Sequence, residues 1–359
     1  MESSLTEQTG HAAISDAVSK AEACDAAGDH VAAVNHLAAA AGRQDVEALT
    51  RLGKRLLVGD RAPLRPNDGA RLLEDADRLG GGEAAALLAM LYATGVSRSK
   101  GLNDGLDKLV LAAERNWQPA QDQIRVLTAG LGVDSPGDNS SEAWRALADG
   151  IDLRRWQSVP AAIDHCASPL VRSFPEFVSA SVCDWFIAKS RGRLTRALVY
   201  EALSKKTTVR DTRTNTAATF NLLDTDFVSI LTQLRIAKCI DMPMRHLEPI
   251  AVLHYAEGEE ITEHFDFVDP EVPNYQDEIA HRGQRVITFL VYLNEDYSGG
   301  ETLFPELGVS HKGSTGEGMF FVNALADGSS DIRTLHAGRP PEAGEKWVIS
   351  QFVRNRPTL

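Results

Sequence analysis

Cysteine is scarce in this chain, and its few cysteines are widely spaced. The 359 residues include four of them, Cys24, Cys166, Cys183 and Cys239. No two form a C-x-x-C pair, so the sequence offers neither a cysteine zinc site nor a disulfide framework. We therefore expect reduced thiols, which fits a cytoplasmic protein.

Long hydrophobic runs and an excess of basic charge are also missing. No apolar segment approaches the length of a membrane span, and the first residues have neither the basic start nor the apolar core of a secretory signal. The formal net charge is −13, whereas nucleic-acid binding depends on clustered lysine and arginine. We expect a cytoplasmic location, no membrane partner and no nucleic-acid partner.

The front of the chain is rich in alanine and leucine and repeats itself after 36 residues. Small residues recur at this spacing, namely Ala40, Ala76 and Ala112, and also Ala48, Ala84 and Ala120. Gly59 and Gly95 recur where a helix must end. The pattern resembles Sel1-like repeats, which are relatives of the tetratricopeptide repeat. Such repeats predict either a surface that recruits a protein partner or a purely structural extension.

The sequence pattern changes toward the carboxyl end, from helical repeats to short strand-like segments, and this change predicts a second domain. Residues 1–16 form a polar tail, residues 17–132 the repeats, residues 133–164 a linker with connecting helices, and residues 165–359 the second domain. A first strand is predicted at residues 170–174, and helices at residues 179–187 and 227–240. Short strands separated by glycine-rich turns follow residue 248. We expect an α+β multidomain chain, in which a helical repeat domain precedes a double-stranded β-helix (jelly roll) buttressed by helices.

Three residues of the second domain form a candidate metal site. His264 and Asp266 point to the same face if they lie on a strand, while Phe265 points to the other. His336 follows 72 residues after His264 and would come from a different strand. Two imidazoles and one carboxylate can hold iron(II) on one face of an octahedron, which leaves three positions open. The remaining histidines are expected to be structural: His11, His30, His36, His165, His246, His254, His281 and His311.

A candidate cation lies ten residues beyond His336. Lys346 precedes the apolar run Trp347-Val348-Ile349, which disfavours a solvated side chain. A buried ammonium can offset the cost of burying a carboxylate. This residue could therefore neutralise an acidic co-substrate.

These residues and the segment Gly299-Gly300-Glu301-Thr302-Leu303-Phe304-Pro305 resemble the 2-oxoglutarate- and iron(II)-dependent dioxygenases, specifically the prolyl 4-hydroxylase branch. The resemblance covers about residues 170–356. It implies that His264, Asp266 and His336 bind iron, that Lys346 binds the far carboxylate of 2-oxoglutarate, and that dioxygen is the second co-substrate. It places Tyr292 beside the co-substrate and suggests Tyr255 and Thr288 as further pocket residues. The resemblance also suggests ascorbate as a reductant.

The implied reaction is hydroxylation of a C–H bond with release of succinate and carbon dioxide. A prolyl residue in a peptide or protein is the first expectation for the substrate, and the repeats would recruit it. A free amino acid or small metabolite is the alternative, with structural repeats. A third reading is a non-catalytic binding protein built on the repeats. No catalytic residue beyond the metal centre is expected, and residues 268–282 are predicted to form a mobile acidic lid.

Overall fold

The computed structural model of the chain describes residues 15–358, except residues 99, 131–139, 198, 202–205, 209–211 and 273–274. The chain divides into two compact units, one of residues 1–122 with 136–145 and one of residues 123–135 with 146–359. Most of the predicted polar tail, and residues 133–139 of the predicted linker, lie outside the described residues. The predicted domain limits at residues 132 and 164 stay predictions.

The first unit is helical, as the repeat pattern predicts. Across both units, the helices among the described residues are α1 Asp16–Ala26, α2 His30–Ala41, α3 Val46–Val58, α4 Pro66–Arg78, α5 Gly82–Thr94, α6 Leu102–Glu114, α7 Gln118–Thr128, α8 Ser141–Ala148, α9 Leu153–Trp156, α10 Ala180–Arg191, α11 Phe227–Cys239 and α12 Tyr275–Arg282. Helix α3 packs on α4, and α5 packs on α6. The helical repeats predicted from the sequence are therefore confirmed.

The repeated small residues account for this helix pairing. All six alanines that recur at the 36-residue spacing are fully buried. A Cβ atom on Gly69 of α4 would lie 2.7 Å from the carbonyl oxygen of Gly53 in α3, so the two backbones touch. Gly59 and Gly95 end α3 and α5 in the left-handed conformation, with φ of 70° and 73°. Larger side chains at Gly53 and Gly69 would push α3 and α4 apart.

The second unit contains the strands. Their bounds are β1 Ile163–Ala167, β2 Leu170–Phe174, β3 Thr195–Arg196, β4 Val199–Glu201, β5 Lys206–Thr208, β6 Thr216–Thr219, β7 Ala251–Tyr255, β8 Ile261–His264, β9 Arg285–Tyr292, β10 Ser298–Gly299, β11 Thr302–Phe304, β12 Val309–His311, β13 Gly318–Val322, β14 His336–Gly338, β15 Pro341–Ala343 and β16 Lys346–Arg354. The major sheet has the order β1-β2-β13-β9-β16-β7-β6-β3, and a second sheet has the order β12-β11-β14-β8. Every pairing in these sheets is antiparallel.

The two sheets share one apolar core, which confirms the predicted jelly roll. Leu290, Tyr292, Phe321 and Val348 of the major sheet pack in the same cluster as Phe304 of the second sheet. Burial of such side chains is the main favourable contribution to folding. The two sheets therefore fix the positions of residues that lie at their strand ends.

The outer face of the major sheet is also covered. Strand β9 is buried along its last six residues. Phe289 of β9 contacts Phe177, with ring centroids 5.0 Å apart. A central strand covered on both faces reads as a continuous apolar run.

Two further elements were not predicted. Strand β1 begins at Ile163, just before the expected start of the second domain at residue 165, and it pairs with β2. Residues 332–334 form a short 3-10 helix before β14. Within the described segments, none of the helices has the length and apolar character needed to cross a lipid bilayer.

Candidate metal centre and co-substrate pocket

The candidate metal ligands meet at the end of the second sheet. Strands β8 and β14 pair so that His264 and His336 are direct cross-strand partners, and their ring centroids are 4.3 Å apart. His336 is the first residue of its strand. Asp266 follows β8. Its Oδ1 lies 3.4 Å from Nε2 of His264, and its Oδ2 lies 3.4 Å from Nε2 of His336.

Backbone carbonyls orient both imidazoles. Nδ1 of His264 lies 2.8 Å from the carbonyl oxygen of Thr262, and Nδ1 of His336 lies 2.9 Å from that of Thr334. A carbonyl oxygen can only accept, so each Nδ1 carries the proton and donates it. Each Nε2 then presents a lone pair toward Asp266. This is the arrangement in which proteins hold metal-binding histidines.

The carboxylate has supports of its own. The hydroxyl of Thr288 donates to Oδ2 of Asp266 at 2.8 Å, and the side-chain amide of Asn323 donates to the Thr288 oxygen at 3.0 Å. Burial raises the pKa of Asp266, but His336 and His264 outweigh that effect and hold this pKa well below its usual range. Asp266 is therefore ionised and fixed in position.

The two imidazoles respond differently to this carboxylate. Burial lowers the pKa of His264, and the neighbouring His336 lowers it further. Burial acts in the same direction on His336, but the charge of Asp266 outweighs it and raises the pKa of His336. Metal binding needs an unprotonated Nε2 on each imidazole, so a bound cation would replace any proton that His336 holds there.

The spacing of the three residues fits a common metal ion. Their ligand atoms all lie within 4.8 Å of one another. Contacts of 3.4 Å are longer than a charge-assisted hydrogen bond, which measures about 2.7–2.9 Å. Ligands at about 2.1 Å from one ion lie about 3.0–3.4 Å apart. The donor set of two imidazoles and one carboxylate suits iron(II) with open positions.

A cavity of about 910 Å³ adjoins these ligands and contains one buried cation. Lys346 begins β16, pairs with Tyr255 across to β7, and lines the cavity. It is only 2% exposed, and its Nζ donates to the carbonyl oxygen of Gly300 at 2.7 Å. Burial lowers the pKa of Lys346 to about 8. The ammonium lacks an anionic partner among the described residues, so the cavity favours a carboxylate.

The other predicted pocket residues have different positions. Tyr255 lines the cavity, and burial raises its pKa to about 12, so its hydroxyl remains a donor. Tyr292 is fully buried behind the wall, and its hydroxyl pairs with Thr302 at 2.9 Å. Its ring centroid is 5.7 Å from Nζ of Lys346. Thr288 contacts Asp266 instead of the cavity. Tyr292 and Thr288 are thus absent from the described lining.

Sequence reasoning missed two residues of this site. Thr302 lines the cavity and stands between it and Tyr292. Asn323 supports Thr288 from β13's end. The glycine-glycine-glutamate-threonine segment contained Thr302, so its position in a recurring motif was a usable signal. Asn323 had no such signal, because its role depends on the pairing of β13 with β9.

The predicted lid contains a helix. Helix α12 supplies Tyr275, Asp277 and Glu278 to the cavity lining. Pro273 and Asn274, part of the same prediction, lie outside the described residues. Phe265 is 38% exposed at the cavity and stacks on Phe267, with ring centroids 4.7 Å apart. The mobility predicted for this segment stays a prediction.

The fold and the site together define a class: a jelly roll with a two-histidine, one-carboxylate centre beside a cationic pocket. The family model of the 2OG-Fe(II) oxygenase superfamily matches residues 250–354. This segment is therefore similar to that superfamily, whose name specifies 2-oxoglutarate and iron(II). The matched segment contains all three candidate ligands and Lys346.

Curated relatives have similar sequences. The prolyl 4-hydroxylase subunit alpha-1 of Rattus norvegicus is 26% identical over 242 residues, which are 67% of this chain and 45% of that protein. Prolyl 4-hydroxylase 1 of Arabidopsis thaliana is 29% identical over 205 residues, which are 53% of this chain and 71% of that protein. The chain thus spans about half the length of the rat relative.

A solved structure is also similar. The viral collagen prolyl hydroxylase from Paramecium Bursaria Chlorella virus-1, in its 2OG complex, has 24% sequence identity and a TM-score of 0.39. The similarity covers 51% of this chain and 95% of that one.

Proposed function

We propose that this protein is an iron(II)- and 2-oxoglutarate-dependent dioxygenase that hydroxylates a C–H bond, with a prolyl residue of a peptide or protein as the substrate. One observation carries the proposal. The three candidate metal ligands and the buried ammonium of Lys346, which has no anionic partner among the described residues, line the same cavity. The names of the curated relatives support the choice of prolyl residue.

His264, Asp266 and His336 would hold the iron. When bound, the iron supplies the redox chemistry that couples decarboxylation of 2-oxoglutarate by dioxygen to hydroxylation, with succinate and carbon dioxide as co-products. The protein supplies position and shielding. Thr288 keeps Asp266 in one orientation through its 2.8 Å hydrogen bond.

Lys346 would bind the far carboxylate of 2-oxoglutarate. Its ammonium already donates to Gly300 and has further protons to offer. Tyr255 is a second donor in the cavity, with its ring 5.3 Å from Nζ of Lys346. We assign Tyr292 an indirect role, in which it positions Thr302 at the cavity wall. No side chain is needed as a general base.

The substrate would enter over the exposed aromatic surface beside the metal ligands. Phe265 and Phe267 form a stacked pair at the cavity, which suits the apolar face of a pyrrolidine ring. Asp277 of α12 adds negative charge to the rim, which suits a basic flanking residue in the peptide. We also propose that the helical repeats recruit the substrate, that the protein is cytoplasmic and that ascorbate serves as a reductant.

The test is release of succinate and addition of one oxygen atom to a peptide, measured by mass spectrometry. Full-length protein is incubated with iron(II), 2-oxoglutarate and proline-containing peptides, with free proline in parallel. A higher kcat/KM for peptide than for free proline supports the proposal. Equal or higher efficiency on the free amino acid would favour the metabolite alternative.

Two variants control this assay. His264→Ala removes a ligand and should abolish both peptide oxidation and succinate release. His36→Ala makes the same change at an exposed helix position in the repeat unit and should leave both unchanged. Failure of the unaltered protein to turn over 2-oxoglutarate with any peptide or amino acid would support a non-catalytic binding protein instead.

A further inference from the structure

A second group of histidines and a carboxylate lies outside the iron site. His165 belongs to β1, His311 ends β12, and Glu317 precedes β13. One ligand atom from each lies within 4.8 Å of the others, the same limit that the iron ligands satisfy. Both histidines were expected to be structural. Their convergence depends on strand pairings that bring together residues about 150 positions apart.

The contact between His311 and Glu317 does not have the geometry of a hydrogen bond. Nε2 of His311 lies 3.2 Å from Oε1 of Glu317. Yet this nitrogen is buried and has no hydrogen-bond partner among the described residues. A buried polar atom without a partner is costly and calls for an explanation. A distance of 3.2 Å matches two ligands that share one ion, as at the iron site.

The surroundings suit a cation. The imidazole rings of His165 and His311 meet edge to face, with centroids 4.9 Å apart, so two positive charges there would repel. Burial lowers the pKa of His165, and His311 lowers it further. Burial opposes ionisation of Glu317, but the nearby His311 and the hydrogen bond from the backbone N–H of Ser314 outweigh it and bring the pKa of Glu317 to about 2. Neutral imidazoles and an ionised carboxylate are the forms that bind metal.

A fourth ligand atom lies close to these three residues. The hydroxyl of Ser173 lies 2.9 Å from Nε2 of His165. Lys312, the neighbouring cation, donates to the carbonyl of Tyr297 instead of this group. Ser173 or a water could complete a tetrahedral set.

We propose that His165, His311 and Glu317 bind one zinc ion, distinct from the iron centre. Two imidazoles and a carboxylate are a recognised zinc ligand set with one open position. Strand β1 is an edge of the major sheet and β12 an edge of the second sheet, so the ion clamps the two edges together. The ring of His311 contacts that of Tyr292, with centroids 5.6 Å apart, so the clamp lies behind the cavity wall. This inference does not depend on the proposed function.

The experiment measures bound zinc in the full-length protein. The iron site is first disabled by His264→Ala and His336→Ala together, because zinc could also occupy it. The protein is loaded with zinc chloride, desalted and analysed by inductively coupled plasma mass spectrometry. We expect one zinc per chain. No stoichiometric zinc in this folded background would overturn the proposal.

Three variants in that background assign the ligands: His165→Gln, His311→Ala and Glu317→Gln. Each should weaken zinc affinity by more than about 100-fold, since losing even an outer partner of a metal ligand costs about 10- to 100-fold. Circular dichroism identifies the variants that fold. Glu317→Gln preserves shape, so it decides the outcome if His311→Ala fails to fold.

The control is His36→Ala in the same background, which should retain the full zinc equivalent. Zinc that persists in the folded Glu317→Gln and His165→Gln variants would place the ion elsewhere and overturn the proposal.

Discussion

Replacement of Lys346 by methionine tests the co-substrate pocket most sharply. The change keeps the length of the side chain and removes its charge. Lys346 is 2% exposed, so a bound carboxylate would lose its buried partner. Breaking one side of a buried ion pair costs about 3–5 kcal/mol, which is about 100- to 5,000-fold in Kd. We expect a loss of 2-oxoglutarate affinity in that range.

The pH dependence follows from the same residue. In the unliganded protein its pKa is about 8, because burial disfavours the charged form. A bound carboxylate favours the charged form and raises the pKa of Lys346. Above pH 8 the protein must therefore take up a proton as it binds 2-oxoglutarate. Affinity should fall as pH rises through 8, and then by about tenfold per pH unit.

Anaerobic isothermal titration calorimetry of the ferrous protein measures both quantities. Titrations in buffers of different ionisation enthalpy give the number of protons taken up. Lys238→Met makes the same change at an exposed position of α11 and should bind like the unaltered protein. The reasoning is refuted if Lys346→Met retains tight binding, or if no proton is taken up above pH 8.

Three further predictions concern the supports of the site. Thr288→Val removes the hydroxyl that holds Asp266 and should weaken iron affinity about 10- to 100-fold by anaerobic metal titration. Gly313→Ala should lower the melting temperature and raise the KM for 2-oxoglutarate, since its Cβ would lie 2.0 Å from the ring of Tyr292. Glu248→Gln should cost about 3 kcal/mol of unfolding free energy in urea, because it removes the carboxylate that pairs with Arg285 and with buried Arg354, while Arg354 keeps Glu278 as a second partner.

The Thr288 and Gly313 predictions each have a control variant and a result that would contradict them. Thr288→Ser restores the hydroxyl and should restore iron affinity; equal affinity in valine and serine variants would exclude the support. Gly192→Ala has open space around its Cβ and should be neutral. A Gly313→Ala protein as stable as that control would contradict the predicted clash.

The sign of the pH effect at Glu248 follows from its partners. Burial raises the pKa of Glu248, but Arg285 and Arg354 outweigh it, so the pKa is lower than in the unfolded chain. Its stabilising contribution is therefore complete above the unfolded pKa of about 4.5 and is lost as pH falls through the folded value. The Glu248→Gln variant should lose less stability on acidification than the unaltered protein. An equal loss in both would contradict this account.

Contacts between residues close in sequence could be predicted for this site, whereas most contacts between distant residues could not. His264 and Asp266 are two residues apart, and strand geometry predicts that they converge, although β8 ends at His264 and Asp266 lies just beyond it. The contact with His336 needs the pairing of β8 with β14, which no local pattern reveals. The 36-residue repeat predicted the paired helices because alanine and glycine must recur wherever backbones touch.

Long-range pairing also explains what the sequence did not show. Thr288 could not be recognised as a support for Asp266, since the two meet only when β9 lies beneath β8's end. His165 and His311 could not be recognised as neighbours, because β1 and β12 lie in different sheets. Helix α12 was read as a loop, because its residues have a polar composition and no apolar face.

The central claim is that His264, Asp266 and His336 hold the iron that binds 2-oxoglutarate. The most direct test is anaerobic titration of 2-oxoglutarate with and without iron(II), for the Asp266→Ala variant and for Glu317→Gln, which removes a carboxylate from the other histidine cluster. We predict that iron(II) tightens 2-oxoglutarate binding in the unaltered and Glu317→Gln proteins, and not in Asp266→Ala. Iron-dependent binding that survives in the folded Asp266→Ala protein would contradict the account.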